Sequence, residues 1–537
     1  MRPMPSLGTM RSLVAALVAT AASAAPDRGF VDWFSSELAT AAGKQLDVTG
    51  SIPEYLSGML VQAGPGQFTM GNMSFGHALD GFSKIHRFEF RKDADGSTKV
   101  IFSAEFLQSD FYKKSVREGK IADGMTAADT RPPSRKPVLG ILAPNDNNYI
   151  KPQKVGSVEL MTSDTNIVTV MKAEFANVSY AIQPLSPGTL LAAHWEDDLT
   201  PAGHICIQSA MAHGATDPHT GEYVTAMGCQ TANLPVVEQY HQIFKLDPSN
   251  IRRRILVKKM PTPSGRPPSY MHQNGITENY HVLVATPFHM DLTAVIEGKG
   301  LAEGGIVSPP GEKSFFQVVS KKDGSLREIA TPGFFMGHVI NSYEDGDDIV
   351  IDMTTMTPES GGFFKRYLLS NIEDPVGRDA SPQSALKRYR LHPDGTFESG
   401  PTLPAEPEDD IELPMINPAY LGRKYCTFWA VQFSTGGRSF ASTALVKRNL
   451  CTGENLTVFE EGRYVSEHHF VARPGAQSEE DGVLMGLVFD GLKGESFFEV
   501  VDARTLKRLA TAPLGLKVPF AVHTTWFGSD EVPVIMV

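Results

Sequence analysis

Short apolar runs, each closed by a cluster of Gly, Asp, Asn or Pro, recur along almost the whole chain. Phe88-Glu89-Phe90 and Lys99-Val100-Ile101-Phe102 flank the turn Lys92 to Gly96. Ile349 to Met353 follows Glu344-Asp345-Gly346-Asp347, and Val483 to Phe489 follows Glu479-Glu480-Asp481-Gly482. β-rich runs bounded in this way are strands joined by turns. Helical periodicity is scarce. The stretch after Asp32 and the segment Ser109 to Gly119, with a Ser-Asp start and a glycine end, are the clearest helix candidates. Many strands without a break in composition imply one large all-β body. A β-propeller is the architecture that protects sheet edges by radial repetition. No fixed-period repeat of the WD40 or kelch kind is present.

The formal net charge is −12 and the pI about 5.7. Phosphate backbones require a basic surface, so no nucleic-acid partner is expected. Near the start, Arg2 and Arg11 precede and enter an Ala-rich apolar stretch, and Ala22-Ser23-Ala24 reads as a small-residue cleavage site. Residues 1–24 are therefore expected to be a secretory signal peptide, with an organelle transit peptide as the rival and a cytosolic start less favoured. Residues 25–537 are expected to form a single propeller domain. Cys206, Cys229, Cys426 and Cys451 could form two disulfides in an oxidising compartment, by any of three connectivities, or remain buried thiols. No GxSxG nucleophile elbow and no Gly-rich phosphate cradle is found.

Fifteen histidines are present, and none forms an HExxH-type motif. His468-His469 on a strand would point to opposite faces and could not both serve one site. Local context singles out four others. His213 follows Met211-Ala212, and His272 lies in Pro268-Ser269-Tyr270-Met271-His272-Gln273-Asn274-Gly275. His338 lies in Phe334-Phe335-Met336-Gly337-His338, and His523 in Val518-Pro519-Phe520-Ala521-Val522-His523.

These four contexts resemble the iron-ligand motifs of the carotenoid cleavage oxygenases, a family that includes animal carotene oxygenases, the retinal-pigment-epithelium isomerohydrolase, plant epoxycarotenoid dioxygenases and bacterial stilbene-cleaving enzymes. Other blocks follow in the family's order. Ala63-Gly64-Pro65-Gly66 resembles its Asn-Gly-Pro-Gly segment, with Ala63 replacing asparagine. His77-Ala78-Leu79-Asp80-Gly81 resembles its Phe-Asp-Gly block, with Leu79 replacing phenylalanine. Ser163-Asp164-Thr165-Asn166 precedes the first ligand-bearing blade, and Glu412-Leu413-Pro414 and Tyr464-Val465-Ser466-Glu467 match blocks that carry glutamates behind the ligands. The stretch from Met290 to Met353 is most similar to the animal branch.

The resemblance implies a seven-bladed propeller with a few helices and loops capping an axial metal site. It implies one Fe(2+) per chain held by His213, His272, His338 and His523. Glu412 and Glu467 would accept the other imidazole N–H groups, with Glu196 as the candidate for a third such acid. Neutral imidazoles suit Fe(II), Zn(II) and Cu(II) alike, so the ligands alone leave the metal open and the resemblance selects iron. No residue beyond the iron site is expected to act chemically.

The implied reaction is O₂-dependent cleavage of a conjugated C=C bond in a carotenoid or apocarotenoid. Alternatives are stilbene cleavage or retinyl-ester isomerohydrolysis on the same site, or a catalytically silent lipid-binding propeller. Phe and Met, at 30 and 20 residues, would line an apolar tunnel but would equally fill a core. Phe106 to Lys120 is the candidate for peripheral membrane contact, with Phe111 and Tyr112 as inserting side chains. A Pro-Asp-Pro-Cys motif, linked in the animal branch to palmitoylation, is absent.

Overall fold

The strand-and-turn pattern resolves into seven sheets of four to six strands, each built mainly from antiparallel neighbours. The computed structural model describes residues 27–529 apart from 28, 94–95, 125, 135–145, 157, 166–167, 174–179, 185–195, 198, 200–205, 232–237, 402–409 and 436–438. The expected leader, 1–24, lies outside the described residues. The sheets follow chain order as the blades of a propeller. One sheet begins with Lys151–Val155, and the next ones begin with Gly275–Ile276, Phe335–Asp345, Asp410–Ile416 and Arg463–Ala472. Cys206–Ala210 forms an edge of the remaining internal sheet. From Gly275–Ile276 to Arg463–Ala472 successive first strands pack against one another, and Thr524–Gly528 packs against both Arg463–Ala472 and Lys151–Val155.

The ring is closed by its two ends. Gly58–Gln67, from the N-terminal part, pairs with Thr524–Gly528 in one sheet, with Gln62 opposite Thr524. Beyond the paired residues, Ala63 and the chain at residues 522 and 523 exchange backbone bonds of 3.1 and 3.3 Å. Gly64 permits that approach, since a Cβ there would lie 2.6 Å from the Ala521 Cα. The Gly-Pro-Gly block is thus a seam of the propeller. Apolar layers fill the gaps between blades: Leu60, Phe88 and Phe102 meet Met485, Phe498 and Val500, with the Phe88 and Phe498 rings 4.7 Å apart. Trp429 stacks on Phe470 at 4.7 Å across the adjoining gap, and its indole N–H donates to the Ala503 carbonyl.

Two local expectations change. The helix expected after Asp32 is a single 3₁₀ turn, Val31–Phe34, which ends where Ser35 becomes extended. Its rings are drawn into the core beside Tyr464 and Phe520, and this packing leaves no helical face to extend. The second helix forms as expected, Asp110–Glu118, capped by Ser109 Oγ and by left-handed Gly119. Phe111 and Tyr112, however, do not face outward as membrane contact would require. They pack on Phe82 at 5.5 and 5.2 Å, and Tyr112 stacks on Phe106. Lys113, Lys114 and Arg117 take the outer face.

Cys426 and Cys451 form a disulfide, Cys229 is also disulfide-bonded, and no free cysteine occurs among the described residues. The pairing left open by the sequence therefore includes Cys426 with Cys451.

Three histidines outside the central cluster, His77, His86 and His241, are fully buried. Burial lowers their pKa values from 6.5 to about 4, 3 and 4, with Lys84 adding to the effect at His86. The folded chain keeps them neutral, whereas the unfolded chain protonates them below its ordinary value of 6.5. Their contribution is present above that pH and is lost as pH falls toward the folded values, at most roughly 2 kcal/mol each by pH 5. The urea midpoint should fall steeply between pH 7 and pH 5, and substituting His86 with Gln should flatten that fall.

Candidate metal centre

Each of the four singled-out histidines sits where a strand starts or is interrupted. His213 follows Cys206–Ala210, His272 precedes Gly275–Ile276, and His523 precedes Thr524–Gly528. A backbone bond of 3.1 Å from His213 N to the His272 carbonyl holds two of these segments together. His338 is inside Phe335–Asp345, where pairing with the next strand is irregular on both sides of Val339. The same device recurs on the next two inner strands. Register shifts fall between Glu412 and Met415 and between Val465 and His468, the spans that carry Glu412 and Glu467. Leu413, directly after Glu412, has φ of 56°, a left-handed conformation that is costly for a γ-branched residue. Bulges re-aim side chains at the expense of ladder bonds. Here they turn the functional residues toward the axis.

The four histidines offer nitrogen atoms that all lie within 4.8 Å of one another. The Nε2 atoms of His272 and His338 are 3.3 Å apart, as are those of His338 and His523. Three Nδ1 atoms point outward to carboxylates. His338 meets Glu412 Oε2 at 2.7 Å and His523 meets Glu467 Oε2 at 2.6 Å. His272 meets both oxygens of Asp164, at 2.9 and 3.0 Å. A carboxylate accepts, so each Nδ1 carries the proton and each Nε2 presents a bare lone pair. The buried Nε2 of His213 has no hydrogen-bond partner among the described residues. Several lone pairs aimed at one point repel unless a cation lies between them, so the donor set fits a metal ion with nitrogen affinity.

Electrostatics agree. Burial, followed by the other three imidazoles and Lys151, holds His213 well below the ordinary histidine range. Burial likewise lowers His523 to about 3, against the opposing pull of Glu467. For Glu467, burial works upward but is overcome by Lys151, His523 and the Thr524 amide, which hold the carboxyl far below the usual range. His213 and His523 are thus neutral at neutral pH. The His338 side chain is 12% exposed, against 6% for His272 and 4% for His523, and so lies toward the accessible side.

The third carboxylate is not the one the sequence suggested. Glu196 lies on Glu196–Asp197, which pairs in parallel with Asn250–Pro261 opposite Arg253. That is the edge of its sheet opposite to Cys206–Ala210, the strand leading to His213. The sheet's full width separates Glu196 from the axis, and Asp164 takes the place expected for it. Asp164 lies in the block Ser163-Asp164-Thr165-Asn166, an aspartate where the family pattern implies a glutamate. Asp164 is also engaged by the Tyr270 hydroxyl at 2.7 Å and by the Ala212 amide at 3.1 Å. Burial, reinforced by Asp164, keeps the Tyr270 phenol protonated well above its usual range.

Beside the centre, Tyr270 lies 5.1 Å from the Phe364 ring and nearly parallel to Phe335 at 6.3 Å, and Phe288 and Met356 complete this apolar wall. Asp80, in the block His77 to Gly81, accepts from the Ala127 and Ala128 amides at 2.7 and 3.0 Å. That block therefore ties down the neighbouring loop.

A propeller with four axial imidazoles, three of them backed by carboxylates, defines a class of protein built to accept a metal ion at its axis, and comparison with known proteins gives the family. The family model described as retinal pigment epithelial membrane protein matches residues 35–528. The chain is 25% identical over 508 residues to a chloroplastic carotenoid cleavage dioxygenase 8 homolog A of Oryza sativa subsp. japonica, covering 90% of this chain and 85% of the relative. It is 26% identical to the human mitochondrial carotenoid-cleaving dioxygenase, covering 89% and 87%. With the beta,beta-carotene 15,15'-dioxygenase of Gallus gallus it shares 24% identity, covering 90% and 96%. Among solved structures, a cobalt-substituted Synechocystis apocarotenoid oxygenase superposes with a TM-score of 0.76 at 20% identity, covering 93% of this chain and 98% of that one. The chain belongs to the carotenoid oxygenase family, and it is an enzyme of the carotenoid-cleavage dioxygenase type.

Gly337 tests the centre's construction. A Cβ there would lie 2.3 Å from Glu412 Oε1 and 2.7 Å from Thr354 Oγ1. The substitution Gly337→Ala should displace Glu412 from His338 and lower affinity for added Co(II) roughly 10–100-fold. Glu412→Gln should weaken it comparably, and combining the two should cost little more. Titration calorimetry on apo-protein reads this; additive losses would separate Gly337 from Glu412.

Proposed function

We propose that the chain is a non-haem Fe(II) dioxygenase that cleaves a conjugated C=C bond of a carotenoid or apocarotenoid, giving two carbonyl products. The observation that carries this reading is the convergence of His213, His272, His338 and His523, with three Nδ1–H groups turned away toward Asp164, Glu412 and Glu467. Neutral ligands leave a dipositive ion uncompensated in its inner layer, and carboxylates one layer out offset the charge while fixing the tautomers. Iron held there would supply O₂ activation. The names of the relatives, which act on carotenoids, support the substrate class.

The residues of this chain do the remaining work. Asp164, Glu412 and Glu467 hold three imidazoles in one tautomer, so that no ring has to turn or exchange a proton during turnover. The buried cluster of Tyr270, Phe288, Phe335 and Phe364 keeps one flank of the centre apolar and free of water, as a reaction on an apolar conjugated chain requires. The phenol of Tyr270 stays protonated and donates to Asp164, so it keeps a neutral face toward the substrate. No protein nucleophile is required.

The bridged Cys426–Cys451 pair supports an oxidising compartment, in line with the secretory reading of residues 1–24. Relatives with chloroplastic and mitochondrial names keep organelle import as the rival.

Two experiments test the reading. With ¹⁸O₂, label should enter both carbonyl products of a cleaved apocarotenoid; turnover without O₂ would instead mark an isomerohydrolase. The variant His338→Ala should lose most of its iron and all turnover, read by iron per chain after anaerobic purification. Full retention of either would remove His338 from the ligand set.

A further inference from the structure

Outside the four imidazoles and their three carboxylates lies a cation that the proposed function does not use. Lys151 opens the inner strand Lys151–Val155, next to the closing strand Thr524–Gly528. Its Nζ donates to the Thr524 carbonyl at 2.9 Å and lies 3.8 Å from Glu467 Oε1. The side chain is 19% exposed and Glu467 only 2%, so the pair is screened little by water. Glu467 in turn accepts from His523 Nδ1 and from the Thr524 amide and hydroxyl. Among the described residues, no other lysine or arginine lies within ion-pair distance of Asp164, Glu412 or Glu467. Arg366, the nearest rival on the Glu412 side, is committed to Asp410 through two bonds.

We infer that Lys151 is a positioning residue of the metal centre, supplying through Glu467 the one positive charge that balances it. This rests on the metal reading above. Three carboxylates carry three negative charges, a divalent ion brings two positive ones, and Lys151 brings the third. Uncompensated buried charge is costly, so Lys151 offsets the three carboxylates most when no ion is bound, and because it repels the ion it does so at the expense of metal affinity. Lys151 also draws electron density from Glu467 and so lowers the basicity that Glu467 confers on His523. Its field opposes any further positive charge at the axis, which disfavours oxidation of the ion. A purely mechanical role is a weak alternative. The same two strands are already joined by Thr525 Oγ1, which donates to the Pro152 carbonyl at 2.6 Å.

The two roles predict opposite signs. In Lys151→Gln the amide can still donate to the Thr524 carbonyl while the charge is gone; Lys151→Met removes both. Co(II) titrated into apo-protein should bind both variants several-fold more tightly than wild type, because the site has become more negative. The iron-loaded variants should be oxidised to the ferric form at a lower potential, and Lys151→Arg should match wild type on both measures. Weaker or unchanged Co(II) affinity in the Gln variant, with an unshifted potential, would overturn the inference. Should Lys151→Met fail to fold, the Gln and Arg pair decides alone. Absence of Co(II) binding by wild type itself would overturn the metal reading, and this inference with it.

Discussion

The N–H of an imidazole turned toward a carboxylate is the interaction on which this structure depends. Made three times, at His272, His338 and His523, it leaves bare nitrogen lone pairs facing a common point. Such an arrangement stores repulsion in the apo-protein. The propeller must therefore hold the rings against it. The features of the inner strands follow from that requirement: register shifts beside His338, Glu412 and Glu467, a left-handed Leu413, and a glycine at 337 that admits the Glu412 carboxylate. A regular ladder would alternate side chains between the two inter-blade faces and send few of them to the axis.

Why a propeller suits this chemistry can be read from the same strands. Each of the four imidazoles comes from a different sheet, and apolar layers shared between neighbouring sheets fix where each one stands. The layer around Phe88 and Phe498 supports the closing sheet, and that around Trp429 and Phe470 supports the neighbouring gap. Register shifts also occur between outer strands, as where Gln239–Asp247 pairs with Asn250–Pro261, but on the inner strands they fall at His338, Glu412 and Glu467.

Much of this was legible in the sequence, for identifiable reasons. Apolar runs and turn clusters marked the strands, because strands packed on both faces between blades, such as Gly58–Gln67 and Gly482–Asp490, are buried along their whole length. The contexts of the four histidines singled out the imidazoles that converge at the axis, and Glu412 and Glu467 came with their blocks. Asp164 was overlooked because an acid one methylene shorter than glutamate does not announce that it can reach an imidazole; the backbone around residue 164 decides that. Glu196 misled for the converse reason, being an acid in roughly the right stretch whose strand runs along the wrong edge. Phe111 and Tyr112 showed an amphipathic helix but not which side was buried, since Phe75 and Phe82 meet it from distant sequence. The bulges had no signal of their own apart from Gly337.

The seam between Gly58–Gln67 and Thr524–Gly528 has a temporal meaning. His523 lies at the closing junction of the ring and takes its place against Ala63 only after the other three imidazoles have been made. A nascent chain can present three of the four imidazoles but not the fourth, nor the Thr524 amide that steadies Glu467. Convergence of the four imidazoles therefore waits for the strand that closes the ring, and a product stalled before residue 523 would lack the fourth.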